Sequence, residues 1–336
     1  MAFSKRIGVG INSLVHSDDI YEEVLWAEEQ GYESIWFRDG GGRVDAFTMA
    51  AAAAARTKRI RIVLSVVPVY TRPAAVFATS AATMSHLAPG RFVLGVGSSS
   101  HTMIEGWYGT PFEKPKTRVK ETVQLLRSML AGEKSDFQGK TIYSRNFKLG
   151  VPVKEKIPIY LAALRPGMLE LAGEIGDGVV LNLAPVKALP RMLESLDKGA
   201  KRSGRRVEDL EIAILLSTYV TKNVEQARKD FGNVAVSYYS TPVYNEFLAW
   251  CGHEKEAKQI TEGFAQKDRA KTLSALSPEI LHSLAPMGDA ETCRAMARAY
   301  HAAGVTTPII VPASPLKAEH WDTLKAFTPT AFGKIA

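Results

Sequence analysis

Cysteine is nearly absent from this chain. Only Cys251 and Cys293 occur in 336 residues, with no Cys-x-x-Cys pair and no histidine pair at zinc-ligand spacing. A disulfide framework and a structural metal site are therefore excluded, and a reducing, cytoplasmic setting is expected. Long apolar runs are missing as well. The alanine run Ala50–Ala55 is far short of the roughly 20 residues a membrane-spanning helix needs. Met1–Gly10 has no apolar core of a secretory signal, so a soluble protein without membrane attachment is expected. The formal net charge is +7, yet lysine and arginine are spread along the chain, with no dense basic tract and no basic motif interleaved with aromatics. No nucleic-acid partner is expected; the charge fits either an anionic small ligand or a solvated basic surface. A hydrolytic triad, a His-Glu-x-x-His helix and a Gly-x-x-x-x-Gly-Lys-Ser/Thr loop are all missing.

What is present is an alternation of short β-branched runs with longer amphipathic stretches, the pattern of parallel strands each followed by a helix. Strands are expected at Ile7–Ile11, Ser34–Phe37, Ile60–Val67, Phe92–Val96, Ile157–Leu161, Val179–Leu181, Leu210–Val220 and Pro308–Val311. Helices fall at Ala46–Arg56, Ala74–Leu87, Lys116–Leu130, Met168–Ile175, Leu189–Ser203 and Ala290–Ala303. In the third of these, Val119, Val123, Leu126 and Leu130 form a stripe at helical spacing, and Gly132 follows as a stop. Eight strands in this rhythm predict one α/β domain over 1–336, a (β/α)8 TIM barrel. The rhythm breaks at Phe231–Leu284, where helical segments rich in tyrosine and tryptophan replace a short connection. That stretch reads as a helical insertion before the last strand, either a packing cap over the barrel or a contributor to the substrate pocket.

Barrel chemistry gathers where strands end. The turn Gly97-Ser98-Ser99-Ser100 ends a strand with small residues and hydroxyls, which suits a phosphate or simply a tight turn. Leu164-Arg165-Pro166-Gly167-Met168 ends another and opens a helix whose start favours anions, with Arg165 either a ligand to that anion or a surface charge. Pro68–Pro73 is too proline-rich to continue the sheet and makes a rigid wall. Asp39, before a run of glycines, is either a polar cofactor contact or a turn cap. His101 and Glu105 after the serine turn, and Asn12 and His16 after the first strand, are the groups placed to move a proton, against the alternative of ordinary surface residues.

Together these segments resemble the luciferase-like monooxygenase superfamily, in its branch of oxidoreductases that use the deazaflavin coenzyme F420. The likeness spans nearly the whole chain and rests on Ser34–Asp39, Ser65–Val66 with Tyr70–Pro73, Arg91–Gly97, Ile157–Ala163 and Leu171–Gly178. It implies a barrel with the cofactor ring at the carboxyl-end mouth and a non-proline cis peptide at Ser65–Val66 that makes a bulge behind the ring. It further implies that Asp39 contacts the deazaflavin head and that Gly97, Ser98 and Ser99, with Leu164, Arg165, Gly167 and Met168, surround the tail and phosphate. Asn182 would face the substrate. Many relatives carry histidine directly after the aspartate, where this chain has Gly40. Sugar-phosphate dehydrogenases of the branch carry glutamate where this chain has Ser100, which argues against that substrate class. Relatives commonly pair as dimers, so a homodimer is expected.

The resulting expectation is an oxidoreductase that moves a hydride between reduced coenzyme F420 and a small organic substrate, a carbonyl, imine or activated alkene. His101 is its expected proton donor. An FMN-dependent monooxygenase on the same barrel is the alternative, separated by which cofactor binds. A catalytically silent cofactor-binding protein is the third reading, separated by the absence of turnover.

Overall fold

The computed structural model describes residues 5–11, 20–39 and 44–333; Asn12, His16 and Gly40 lie outside them. Among the described residues twelve strands follow in chain order: β1 Gly8–Ile11, β2 Ser34–Phe37, β3 Arg61–Leu64, β4 Val67–Pro68, β5 Phe92–Gly97, β6 Asp136–Gln138, β7 Tyr143–Arg145, β8 Ile159–Ala162, β9 Gly178–Asn182, β10 Glu211–Val220, β11 Met287–Gly288 and β12 Thr307–Pro312. Eight of them close a ring in the order β1, β2, β3, β5, β8, β9, β10, β12 and back to β1, with every neighbouring pair parallel. Helices lie on the outside between successive strands, so the (β/α)8 barrel is confirmed. Strands β6 and β7 form a separate antiparallel hairpin.

Side chains alternate between the barrel axis and the helical layer, as strand geometry requires. Trp36, Val63, Val93, Tyr160, Val180, Ala213, Leu215, Ile309 and Val311 make a buried interior cluster, while their neighbours Ile35, Ile62, Leu94, Leu161 and Leu181 join the larger core under the helices. The bulky Trp36 and Tyr160, 6.2 Å apart between ring centres, fit because the adjacent strands β1 and β9 present glycine beside them. A β-carbon on Gly8 would lie 2.5 Å from the Trp36 indole nitrogen, and one on Gly178 would lie 2.8 Å from the Tyr160 ring.

Below these rings the amino end of the barrel is closed by a polar plug. Glu211 accepts hydrogen bonds from Thr307 Oγ1 at 2.7 Å and Tyr160 Oη at 2.5 Å, and pairs with Arg61 at 2.9 Å. Burial opposes the Glu211 charge, but Arg61 and Arg6, with the Tyr160 hydroxyl, hold its pKa below the ordinary carboxylate value.

Helix ends follow their sequence signals. Asp45 caps Ala46–Arg56 by accepting from Thr48 N, and Pro115 opens Pro115–Leu130, which buries Val119, Val123 and Leu126. Two elements depart from expectation. The strand expected over Ile60–Val67 is two pieces, β3 and β4, separated by the cis peptide Ser65–Val66, and β4 pairs with the outer end of β5. The crowding there is direct: a β-carbon on Gly95 would lie 1.9 Å from the Leu64 carbonyl oxygen, so only glycine admits the bulge. The helical region also starts earlier than Phe231, because Asn223 caps a helix over Val224–Tyr239 by accepting from Gln226 N. Helices Pro242–Trp250, Glu254–Ala265, Arg269–Ser274 and Pro278–Leu284 complete it. They share a second apolar core of Phe231, Tyr239, Leu248, Ile260 and Leu281, joined to the barrel through Tyr219 and Met287.

Candidate active site

At the carboxyl ends of the strands the inward alternation runs on into polar and small side chains. Arg38 follows Trp36 on β2, Asn182 follows Val180 on β9, and Ser217 follows Leu215 on β10; all three are partly exposed. Between Arg38 and Asn182 round the ring lie Val66, Gly97 and Ala162. A β-carbon on Gly97 would stand 2.9 Å from both Val66 Cγ2 and Ala162 Cβ, so these three residues form a close-packed floor without protruding polar groups. The arrangement is a shallow apolar shelf flanked by a guanidinium on one side and a carboxamide on the other.

Asn182 is fixed from the helical region. Its Nδ2 donates to Tyr244 Oη at 3.0 Å, and the next two residues are buttressed by phenols, Tyr239 donating to Leu183 O at 3.2 Å and Tyr300 to Ala184 O at 2.7 Å. The Arg38 charge is felt at the Tyr244 phenol, so the helix Pro242–Trp250 bonds to Asn182 and lies within the field of Arg38. Burial, then Tyr238, raises the Tyr244 pKa, and Asn182 and Arg38 offset part of that rise.

The other expected residues occupy the rim. Asp39 has only 8 % of its side chain exposed, and both of its oxygens are bound within the protein: Oδ1 accepts from Ala46 N at 3.0 Å, and Oδ2 pairs with Arg72 at 2.9 Å. Arg72 also pairs with Asp45. Ser98 donates to Ser99 O at 3.3 Å, and Ser99 takes a left-handed backbone with φ of 64°. Ser100 caps the short helix His101–Gly106 by accepting from Met103 N. His101 is 65 % exposed and its Nε2 lies 2.8 Å from Glu105; no contact among the described residues joins it to Arg38 or Asn182.

Arg165 stands at the cap of the helix Pro166–Ile175 and pairs with Glu246 of the helix Pro242–Trp250. Leu164 and Met168 pack on the main core. Beside them the space at Gly167 is open: within 4 Å a β-carbon there would meet only Lys116 Nζ, at 3.8 Å. Sequence reasoning missed Arg38, Ser217 and Glu246, and met Tyr244 only among the aromatics of the insertion. Strand alternation from Trp36 and Leu215 would have found the first two; nothing local points to Glu246 or singles out Tyr244 from its aromatic neighbours, because a separate helix brings them in. A cleft of about 360 Å³ beside Arg6, Glu28, Arg59 and Arg61 lies at the opposite end of the barrel, where catalytic groups do not collect in this architecture.

The profile of the luciferase-like monooxygenase family matches residues 2–307. The chain belongs to this family. Among family relatives, the 5,10-methylenetetrahydromethanopterin reductase of Methanolobus tindarius is 28 % identical over 292 residues, covering 86 % of this chain and 88 % of that protein. The F420-dependent glucose-6-phosphate dehydrogenase of Amycolatopsis mediterranei is 29 % identical over 223 residues, covering 62 % and 67 %. The solved coenzyme F420-dependent tetrahydromethanopterin reductase of Methanopyrus kandleri superposes with a TM-score of 0.82 at 22 % identity, over 98 % of this chain and 100 % of that one. An F420-dependent secondary alcohol dehydrogenase in complex with an F420-acetone adduct gives 0.78 at 19 % identity, over 98 % and 99 %. These superpositions establish a shared barrel. Among the described residues no helix is long and apolar enough to cross a membrane, and no cluster of His, Cys, Asp or Glu could hold a metal ion.

Proposed function

We propose that this member of the luciferase-like monooxygenase family is an oxidoreductase that uses the deazaflavin coenzyme F420 to reduce a small organic substrate, a carbonyl, imine or activated alkene. The observation that carries the reading is the apolar shelf of Val66, Gly97 and Ala162 flanked by Arg38 and Asn182. A flat heteroaromatic ring needs such a floor, and a reacting polar atom above it needs donors at its edge. The F420-dependent relatives support the choice of ring.

The residues present fit the cofactor. Its phosphate needs an uncrowded helix start with cations close by, and Gly167 leaves that space open beside Lys116 and Arg165. Ser98, Ser99, Leu164 and Met168 would line the tail there, and Ser65 and Val66 would back the ring. When bound, reduced coenzyme F420 supplies a hydride. The protein's part is to seat the ring, exclude water with Val66 and Ala162, and orient the substrate with Asn182. Asp39, with both oxygens engaged, acts through the shape of the loop it ties to Ala46 and Arg72. His101, exposed beside Glu105, is a proton source for the rim. The alternative FMN monooxygenase reading has the shared barrel behind it and no separate feature of the site.

Absorbance titration of the purified protein with F420 and with FMN tests the reading. Saturable F420 binding at micromolar concentration with weak FMN binding is the expected result; tight FMN binding without F420 binding would sink it. A homodimer accompanies this reading, supported by the outward-facing Val76 and Leu87 on the helix Ala74–Leu87, 47 % and 40 % exposed. Sedimentation as a monomer at micromolar concentration would remove it.

A further inference from the structure

A hydride delivered to a carbonyl carbon leaves negative charge on the oxygen, and that oxygen must receive a proton within hydrogen-bond reach. The side chain best placed to give one comes from the inserted helices. Tyr244 Oη accepts from Asn182 Nδ2 at 3.0 Å, so the phenol keeps its own proton, which no described residue accepts. Its ring is held edge-on by Tyr238, 4.9 Å away between centres, and by Tyr239 at 6.3 Å. Asn182 points along the inward row of β9 that holds Val180, which places the phenol over the barrel mouth rather than on the outer surface. Arg38, next in the inward row just beyond the end of β2, adds a positive charge that is felt at the phenol.

We propose that Tyr244 donates the proton to the substrate's oxygen, aimed by Asn182. The inference rests on the hydride-transfer reading above and narrows its substrate class to carbonyl compounds. The step balances as follows. The carbonyl carbon gains a hydride from the reduced deazaflavin, the C=O π bond breaks, and its electron pair moves to oxygen. That oxygen takes the Tyr244 proton to become the alcohol. The phenolate, hydrogen-bonded by Asn182 Nδ2 and stabilised from a distance by the Arg38 charge, regains a proton from water at the mouth. The geometry also separates this donor from His101, whose contacts run to Glu105 and Phe112.

Tyr244→Phe keeps the ring and its packing and removes only the hydroxyl. F420 affinity, read by absorbance titration, should stay within about twofold of the wild type. The F420-loaded protein should bind isobutyramide, whose carbonyl accepts a hydrogen bond but no hydride, and the variant should bind it about tenfold more weakly by calorimetry, as loss of one good donor predicts. Ketone reduction over a panel of simple ketones should fall by about 10²–10⁴, the usual worth of a positioned acid. Equal isobutyramide affinity in the two proteins, no isobutyramide binding by the wild type, or a turnover number within twofold of wild type would each overturn the proposal. So would His101→Gln abolishing reduction while Tyr244→Phe does not. Loss of F420 binding in Tyr244→Phe would overturn it by making Tyr244 part of the cofactor scaffold. Failure of the wild type to bind F420 is a different result: it overturns the hydride-transfer reading, and this inference with it.

Discussion

Glu211 shows how much one residue can carry in a barrel. None of its side chain is exposed, and it binds Arg61, Tyr160 and Thr307 at once. Removing it by Glu211→Ala leaves a mostly buried guanidinium without its counter-charge. The expected cost is about 3 kcal/mol, at the low end for a broken buried pair because Arg61 retains some solvent contact; urea unfolding would measure it, and a change under 1 kcal/mol would mean the plug is not structural. The sign of the pH effect follows from the lowered pKa. The folded value lies below the unfolded one of about 4.3, so the stabilisation is present above that pH and is lost as pH falls through the folded value. Glu211→Gln should therefore shrink the loss of stability on acidification. A second residue-scale prediction concerns Gly95. Its β-carbon would stand 1.9 Å from a backbone oxygen that has nowhere to go, so Gly95→Ala should destabilise by about 1–3 kcal/mol or more and lower F420 affinity by shifting the shelf. A variant as stable as the parent in thermal melts would contradict the bulge geometry.

At the scale of elements, the helix Pro242–Trp250 matters most because two of its residues reach the mouth, Tyr244 to Asn182 and Glu246 to Arg165. The Glu246 carboxylate occupies the guanidinium that the proposed function offers to a phosphate. Exposed pairs of this kind are worth roughly 0–1 kcal/mol, so Glu246→Gln should tighten F420 binding by no more than about fivefold, and Arg165→Gln should weaken it and flatten its dependence on salt. Fluorescence titrations at two ionic strengths would check both; unchanged affinity in Arg165→Gln would take that residue out of the phosphate site. Elements like this one are also where sequence reading stops. Strands and most outer helices were legible because each carries its own periodicity, and Pro115, Pro166 and Asp45 mark helix starts by local chemistry; the helix Lys317–Ala326 was not read. The pairing of Glu246 with Arg165 is 81 residues long in sequence and leaves no local signal. The break of β3 at Ser65–Val66 was legible only by resemblance, since a β-branched run reads as one strand.

For the whole molecule, closure of eight parallel strands was readable from rhythm alone, and the site's location followed from closure, since strand ends converge on one face. Which side chains look inward there was not read, although Arg38 and Ser217 follow from counting by twos along strands already identified. The inserted helices were visible as an interruption, but their role in fixing Asn182 depends on tertiary packing around Tyr239, Leu248 and Leu281. The charged plug has a further consequence, for traffic. With Glu211, Arg61 and Tyr160 sealing one end beneath a filled interior, nothing passes through the barrel, and among the described residues the shelf is approached from the mouth. Cofactor, substrate and product must all pass through it, so whichever sits deeper has to arrive first and leave last. Steady-state kinetics should accordingly show a compulsory order, and random-order patterns would mean that the two ligands lie side by side at the threshold.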